Sequence, residues 1–169
     1  NMYCANYDIA LGETVALVNI GASVMNINII KNGNFAFTRD ISIGGNRYTE
    51  TVQKELNLSY GDAEKAKKGE SIEGLNPEAL SAVIETVNGE VASEIVRSFD
   101  YFKTTSLQEK VDKAILSGGC AKIKGLVSYL SERLGVKVEM VNPFNHVEID
   151  PKAFDVQYVR DVAPQVAVG

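Results

Sequence analysis

The sequence predicts an α/β fold, a mixed sheet with helices on its faces. Near the N-terminus, three short apolar or alternating runs follow one another with only tight turns between them. A long stretch with apolar residues at helical spacing comes next, and the last third reads strand, helix, strand. Hairpin-joined strands followed by alternating strand and helix put antiparallel and parallel pairings into one sheet.

The elements follow in order. Residues 14–20 are mostly apolar and β-branched, lie between Gly12 and Gly21, and are too few for a helix, so they suit a buried strand. Gly21-Ala22-Ser23 is a turn of small residues, and residues 24–30 partly alternate as a second strand. Lys31-Asn32-Gly33-Asn34 is a hairpin, because Asn-Gly supplies the positive φ such turns need, and residues 35–43 form the third strand. After Gly44-Gly45, the spacing of Tyr48, Val52 and Leu56 marks a helix. Residues 60–69 are a short charged helix ending in glycine, and residues 70–75 are a loop. Asn76 caps the longest helix, with Pro77 at its first position; its stripe runs from Leu80 through Val87, Val91 and Ile95 to Phe102. Residues 111–116 are a strand left through Ser117-Gly118-Gly119. Residues 121–134 are a helix stopped by Gly135, and residues 136–140 are a strand ended by Asn142-Pro143. Residues 162–169 read as the start of a last helix, cut short.

The 169 residues make one ordinary domain, and 45% hydrophobic with 23% charged residues is a globular composition. Lys and Arg number 17 against 22 Asp and Glu, for a net charge of -5, and no basic run invites nucleic acid or an anionic membrane. No apolar stretch is long enough to span a membrane, and the N-terminus has neither a charged leader nor a signal core. Cys4, Cys120 and the single histidine, His146, make neither a disulfide scaffold nor a zinc site, which points to a reducing, cytoplasmic setting. His146, beside Pro143 and Asn145, reads as a surface-loop residue rather than a catalytic base. The start at Asn1 and the apolar end Val166-Ala167-Val168 suggest a piece of a longer protein.

Small residues after a strand let backbone amides approach a phosphate, and a following helix adds its positive end. Gly21-Ala22-Ser23 and Ser117-Gly118-Gly119 both have that form, although neither matches a Rossmann or P-loop pattern. On spacing alone each reads more readily as a structural turn than as a ligand loop. Their order along the chain is more telling. Asn19-Ile20-Gly21-Ala22-Ser23 resembles the second phosphate hairpin of the actin, sugar-kinase and chaperone superfamily. Leu116-Ser117-Gly118-Gly119-Cys120-Ala121, with Gly125-Leu126, resembles its adenosine motif. Arg39-Asp40-Ile41-Ser42-Ile43-Gly44-Gly45-Asn46, read with residues 19–28, most closely resembles the PilM family of actin-like type IV pilus proteins, with the cell-division protein FtsA next nearest.

That resemblance implies the C-terminal lobe of a two-lobed fold with an RNase H-like core. Residues 1–57 and 76–169 would form the core, residues 58–75 a small charged insertion, and the N-terminal lobe would be absent. It implies ATP with magnesium in the cleft between lobes. Asn19, Gly21, Ala22 and Ser23 would lie on the phosphate side, Glu64 and Lys67 at the ribose and base, and Gly118, Gly119 and Cys120 in the adenosine loop. It also implies a cytoplasmic scaffold peripheral to the bacterial inner membrane. Its partners would be the cytoplasmic tail of PilN, received by the absent lobe, and the pilus motor ATPases.

Two departures bear on chemistry. The superfamily usually places an aspartate where Asn19 stands; a neutral amide can accept from a magnesium-bound water but brings no charge to the metal. Val24 and Met25 lack the hydroxyl expected for the γ-phosphate, leaving Ser23 alone in the turn. Nucleotide holding with slow hydrolysis or none is therefore expected. An interaction module without nucleotide is the alternative, and a sugar-kinase-type phosphotransferase lacks any sign of a sugar pocket. Without the resemblance, residues 64–68 read as a solvated charged face. Cys120 reads as a small buried filler, although a helix start there would lower a thiol pKa.

Overall fold

The computed structural model describes residues 6–7, 10–146 and 148–165, so Cys4 and the end of the chain lie outside the described residues. One five-stranded sheet runs in the order β3-β2-β1-β4-β5. Strands β1 (Thr14–Ile20), β2 (Met25–Lys31) and β3 (Asn34–Ile41) form an antiparallel meander. Strands β4 (Lys113–Ser117) and β5 (Lys137–Met140) add on parallel to β1.

The turn between β2 and β3 is the predicted one, with Asn32 at φ 49 and Gly33 at φ 74. Strand β2 alternates as the pattern requires: Met25, Ile27 and Ile29 are fully buried beneath the helices. Asn26 and Asn28 face the other side, where the Asn26 amide donates to Asp40 at 2.7 Å and Thr38 donates to Asn28 at 2.8 Å.

Three helices lie between β3 and β4. Helix α1 (Gly45–Leu56) is followed by α2 (Tyr60–Lys67) and by α3 (Pro77–Thr105), which spans 29 residues. The Asn76 side chain caps α3 by accepting from Glu78 N at 2.8 Å, as its sequence predicts. Val87, Val91, Ile95 and Phe102 of α3 then bury against the sheet, each contributing about 2 kcal/mol by removal from water. The N-terminal half of α3 instead joins a separate small cluster. There Leu80, Val83 and Ile84 meet Ala63 and Ala66 of α2 and Val52 of α1.

The last third departs from the predicted boundaries. The single helix expected over 121–134 is divided into a 3-10 turn at Gly119–Lys122 and helix α4 at Leu126–Leu134. Gly125, at φ 81, makes the break. The helix expected from residue 162 onward is also corrected. Helix α5 (Val156–Val162) is started by Asp155, whose carboxylate accepts from Gln157 N and Tyr158 N, and a 3-10 turn (Ala163–Gln165) ends the described chain. Residues 166–169 lie outside the described residues.

Candidate functional site

Parallel pairing sets Asn19 of β1 beside Ser117 of β4, so the Gly21 and Gly118 turns leave the sheet at the same edge, past the ends of both strands. That edge is where α/β sheets bind ligands. Gly118 is at φ 90, and a Cβ there would lie 2.4 Å from Ile20 O and 2.6 Å from Asn19 Oδ1. Only glycine lets the two turns touch. Gly118 N also donates to Pro164 O at 2.8 Å, which ties the Ala163–Gln165 turn to the same edge.

Helix α1 begins against the hairpin. Gly45 N donates to Gly21 O at 2.9 Å and Asn46 N to Ala22 O at 2.7 Å, so two of the helix's unpaired first amides are satisfied by the turn. With its carbonyls bound to α1, the turn leaves the amides of Ala22 and Ser23 without an acceptor among the described residues.

Helix α2 docks from the other side through one ammonium. Lys67 Nζ donates to Glu64 Oε2 at 2.6 Å, Thr49 Oγ1 at 3.0 Å and Gly45 O at 3.4 Å, which occupies all three of its N–H groups. Burial pushes the Glu64 carboxyl up. Hydrogen bonds from Lys67 and Thr49, with the charges of Lys67 and Lys68, outweigh that and hold it below its ordinary value. A carboxylate whose folded pKa is depressed contributes stability above its unfolded value and loses it as pH falls through the folded one. Glu64→Gln therefore lowers stability at pH 7 and narrows the difference between pH 7 and pH 3. Urea midpoints at both pH values measure it, and an unchanged difference would remove this pair from the acid response.

The Cys120 thiol sits 3.5 Å from Gly21 O. Burial pushes it up to about 11, more than the nearby Lys67 charge lowers it, so the thiol stays protonated at neutral pH.

These pieces enclose a cavity of about 400 Å³. Of the residues marked by the sequence, Gly21, Ala22, Glu64, Lys67, Gly119 and Cys120 line it. Asn19, Ser23 and Gly118 do not: Asn19 backs onto Gly118, and Ser23 Oγ accepts from the Asn46 amide at 3.0 Å. Gly45, Asn46, Tyr60, Lys68, Lys122, Ile123 and Gln165 complete the lining. Lys68 stood in the charge run and Gly45-Asn46 in the quoted motif, whereas nothing in the sequence marks Gln165. The donors at this edge are a neutral amide and a hydroxyl, with Glu64 already paired, so they fit magnesium only through its bound water. No cluster of His, Cys, Asp and Glu among the described residues could hold a metal ion directly. His146 is exposed in a turn away from this lining.

Solved structures that share this fold include Ta0583, an archaeal actin homolog. A solved structure titled a PilM-PilN type IV pilus biogenesis complex is 27% identical, with 91% of this chain and 43% of that chain covered at a TM-score of 0.78. MreB 5 of Spiroplasma citri bound to AMPPNP is 15% identical, covering 82% of this chain and 52% of that one, at a TM-score of 0.62. The ethanolamine utilization protein EutJ from Carboxydothermus hydrogenoformans is 21% identical, with 78% and 44% covered, at a TM-score of 0.61. The last two likenesses show the fold alone, and the chain spans about half the length of these structures or less. The family model described as type IV pilus assembly protein PilM matches residues 5–169, so the chain belongs to the PilM family of actin-fold type IV pilus assembly proteins.

Proposed function

We propose that this chain forms one wall of an ATP site in a pilus assembly scaffold, and that it holds the nucleotide with slow hydrolysis or none. One observation carries the reading. The two glycine turns and the Glu64–Lys67 segment, separate in sequence, converge on one cavity of nucleotide size. The acceptor-free amide of Ala22, on the cavity wall, suits a phosphate oxygen, and Lys68 and Lys122 put positive charge at the mouth. Slow turnover follows from the neutral Asn19, which adds no charge to a magnesium shell, and from Val24, which brings no hydroxyl.

Titration calorimetry on the full-length protein with ATP and magnesium is the test. Binding is expected, and the nucleotide recovered after incubation should be mostly ATP. Absence of binding sinks the reading, and rapid conversion to ADP sinks the account of Asn19. A module without nucleotide is the second reading, favoured by the saturation of Lys67 within the chain.

The likeness to a PilM-PilN complex supports a PilN-type partner for the whole protein; the resemblance of the sequence adds that PilN offers its cytoplasmic tail and that the pilus motor ATPases lie nearby. Attachment to the inner membrane would then run through that partner; no described helix is long and apolar enough to cross a membrane. Co-purification with a PilN-type tail peptide tests this, and failure to retain the peptide counts against it.

A further inference from the structure

The end of the sheet opposite the glycine turns is built from three loops. Residues 10–13 lead into β1, Asn32-Gly33 joins β2 to β3, and residues 106–112 lead from α3 into β4. The loops are tied to one another. Gly12 N donates to Asn32 Oδ1 at 2.5 Å, Lys31 pairs with Glu109, and the Asp112 carboxylate accepts from Thr14 N at 2.8 Å. Three apolar side chains stand in water here: Leu11 is 99% exposed, Leu107 96% and Phe35, just past the hairpin turn, 67%. Leu107 is also strained. Of the four non-glycine residues at positive φ, Asn32 and Asn57 are of a type that enters the left-handed region readily, whereas Leu107 (φ 56) and Gln108 (φ 71) are not. Helices that end in a left-handed residue usually place glycine or asparagine there. Gln108 N donates to Lys103 O at 3.0 Å and Glu109 N to Ser106 O at 3.3 Å, which holds the conformation. The chain thus bears strain to present a leucine that gains almost no burial in return.

The charges around these side chains decide what covers them. Lys31–Glu109 and Lys113–Glu13 are neutralised within the chain. Asp100 and Lys103 near the end of α3, and Lys110 and Asp112 in the loop, form no ion pair among the described residues. Two acids and two bases select no partner of a single sign. They match an identical surface, because a two-fold contact sets the patch against its own copy and lets the lysines of one meet the aspartates of the other. We infer that two copies of this protein pair end to end through this platform, with Leu11, Phe35 and Leu107 of both at the centre and the four charges at the rim. An apolar centre inside a polar rim is the usual anatomy of such contacts. Strand β1 spans seven residues, which sets the platform roughly 20 Å from the glycine turns. Pairing therefore leaves the cleft open, and the inference does not depend on the nucleotide reading.

Sedimentation equilibrium of the full-length protein is the test, at loading concentrations up to about 100 µM, where even a weak interface is populated. An equilibrium between monomer and dimer, with nothing larger, is expected. Leu107→Asn should lower the association constant roughly tenfold or more. Its melting temperature, measured where both proteins are monomeric, should not fall, because asparagine accepts the left-handed region and the side chain is exposed. Lys110→Glu leaves three acids against one base and should weaken the dimer several-fold. A monomer at every concentration or undiminished pairing in either variant would overturn the inference. So would growth beyond the dimer, which would set some other surface against the platform, or a lowered melting temperature in Leu107→Asn, which would make the leucine part of the fold. Saturating ATP should leave the dimer unchanged, and its failure to bind would count against the nucleotide reading alone.

Discussion

Gly118→Val is expected to cost about 4 kcal/mol of stability and to abolish ATP binding, the first from backbone strain and overpacking together. The residue sits at φ 90, where a β-branched side chain is a genuine outlier. Its Cβ would also lie 2.4 Å from Ile20 O and 2.7 Å from Ile20 C. Those atoms belong to β1, paired with β2 on one side and β4 on the other, so they cannot retreat without breaking the centre of the sheet. Gly119→Ala is the control: nothing lies within 4 Å of its added Cβ and its φ is ordinary, so its cost should stay below about 1 kcal/mol. Urea unfolding of both variants measures the contrast. Similar losses at the two positions would mean that the close approach of the turns is not what Gly118 provides.

The features legible in the sequence are those decided locally. Asn32-Gly33 dictates its hairpin turn and Asn76-Pro77 starts α3, because each conformation follows from the residues themselves. Helix α5 escaped a reading by apolar stripe because none of its residues is buried; only the Asp155 cap announces it. The apolar spacing over 121–134 runs through Gly125 without a gap, so periodicity alone could not reveal a left-handed residue there. The site divides in the same way. Its glycine turns were visible through their order and resemblance, whereas the partners that orient them were not. Thr49 reads as an ordinary helical threonine until folding brings it 3.0 Å from Lys67.

Gly44 shows most directly how such a partner acts, and Gly44→Val should reduce ATP affinity at least a hundredfold while costing about 3 kcal/mol of stability. Its φ of -165 is extended backbone open to any residue, so strain is not the reason. Space is: a Cβ would lie 2.6 Å from Gly21 O and 2.7 Å from Ala22 O, the two carbonyls that accept from Gly45 N and Asn46 N. Relieving that clash means moving α1 off the hairpin. Two charge-free hydrogen bonds go with it, each worth about 1 kcal/mol, and the helix amides lose their acceptors. The hairpin then loses the contact that fixes the Gly21-Ala22 turn at the wall of the cavity. Gly45→Ala separates this from general crowding of the junction, since its Cβ would meet the Cys120 thiol at 3.0 Å, a single sulfur atom that Cys120→Ala removes. The Gly45→Ala and Cys120→Ala pair should therefore be less destabilised than Gly45→Ala alone, whereas Cys120→Ala should give Gly44→Val no relief. Rescue of Gly44→Val by Cys120→Ala would mean that the hairpin carbonyls are not the obstruction, and that the docking of α1 does not set the phosphate turn.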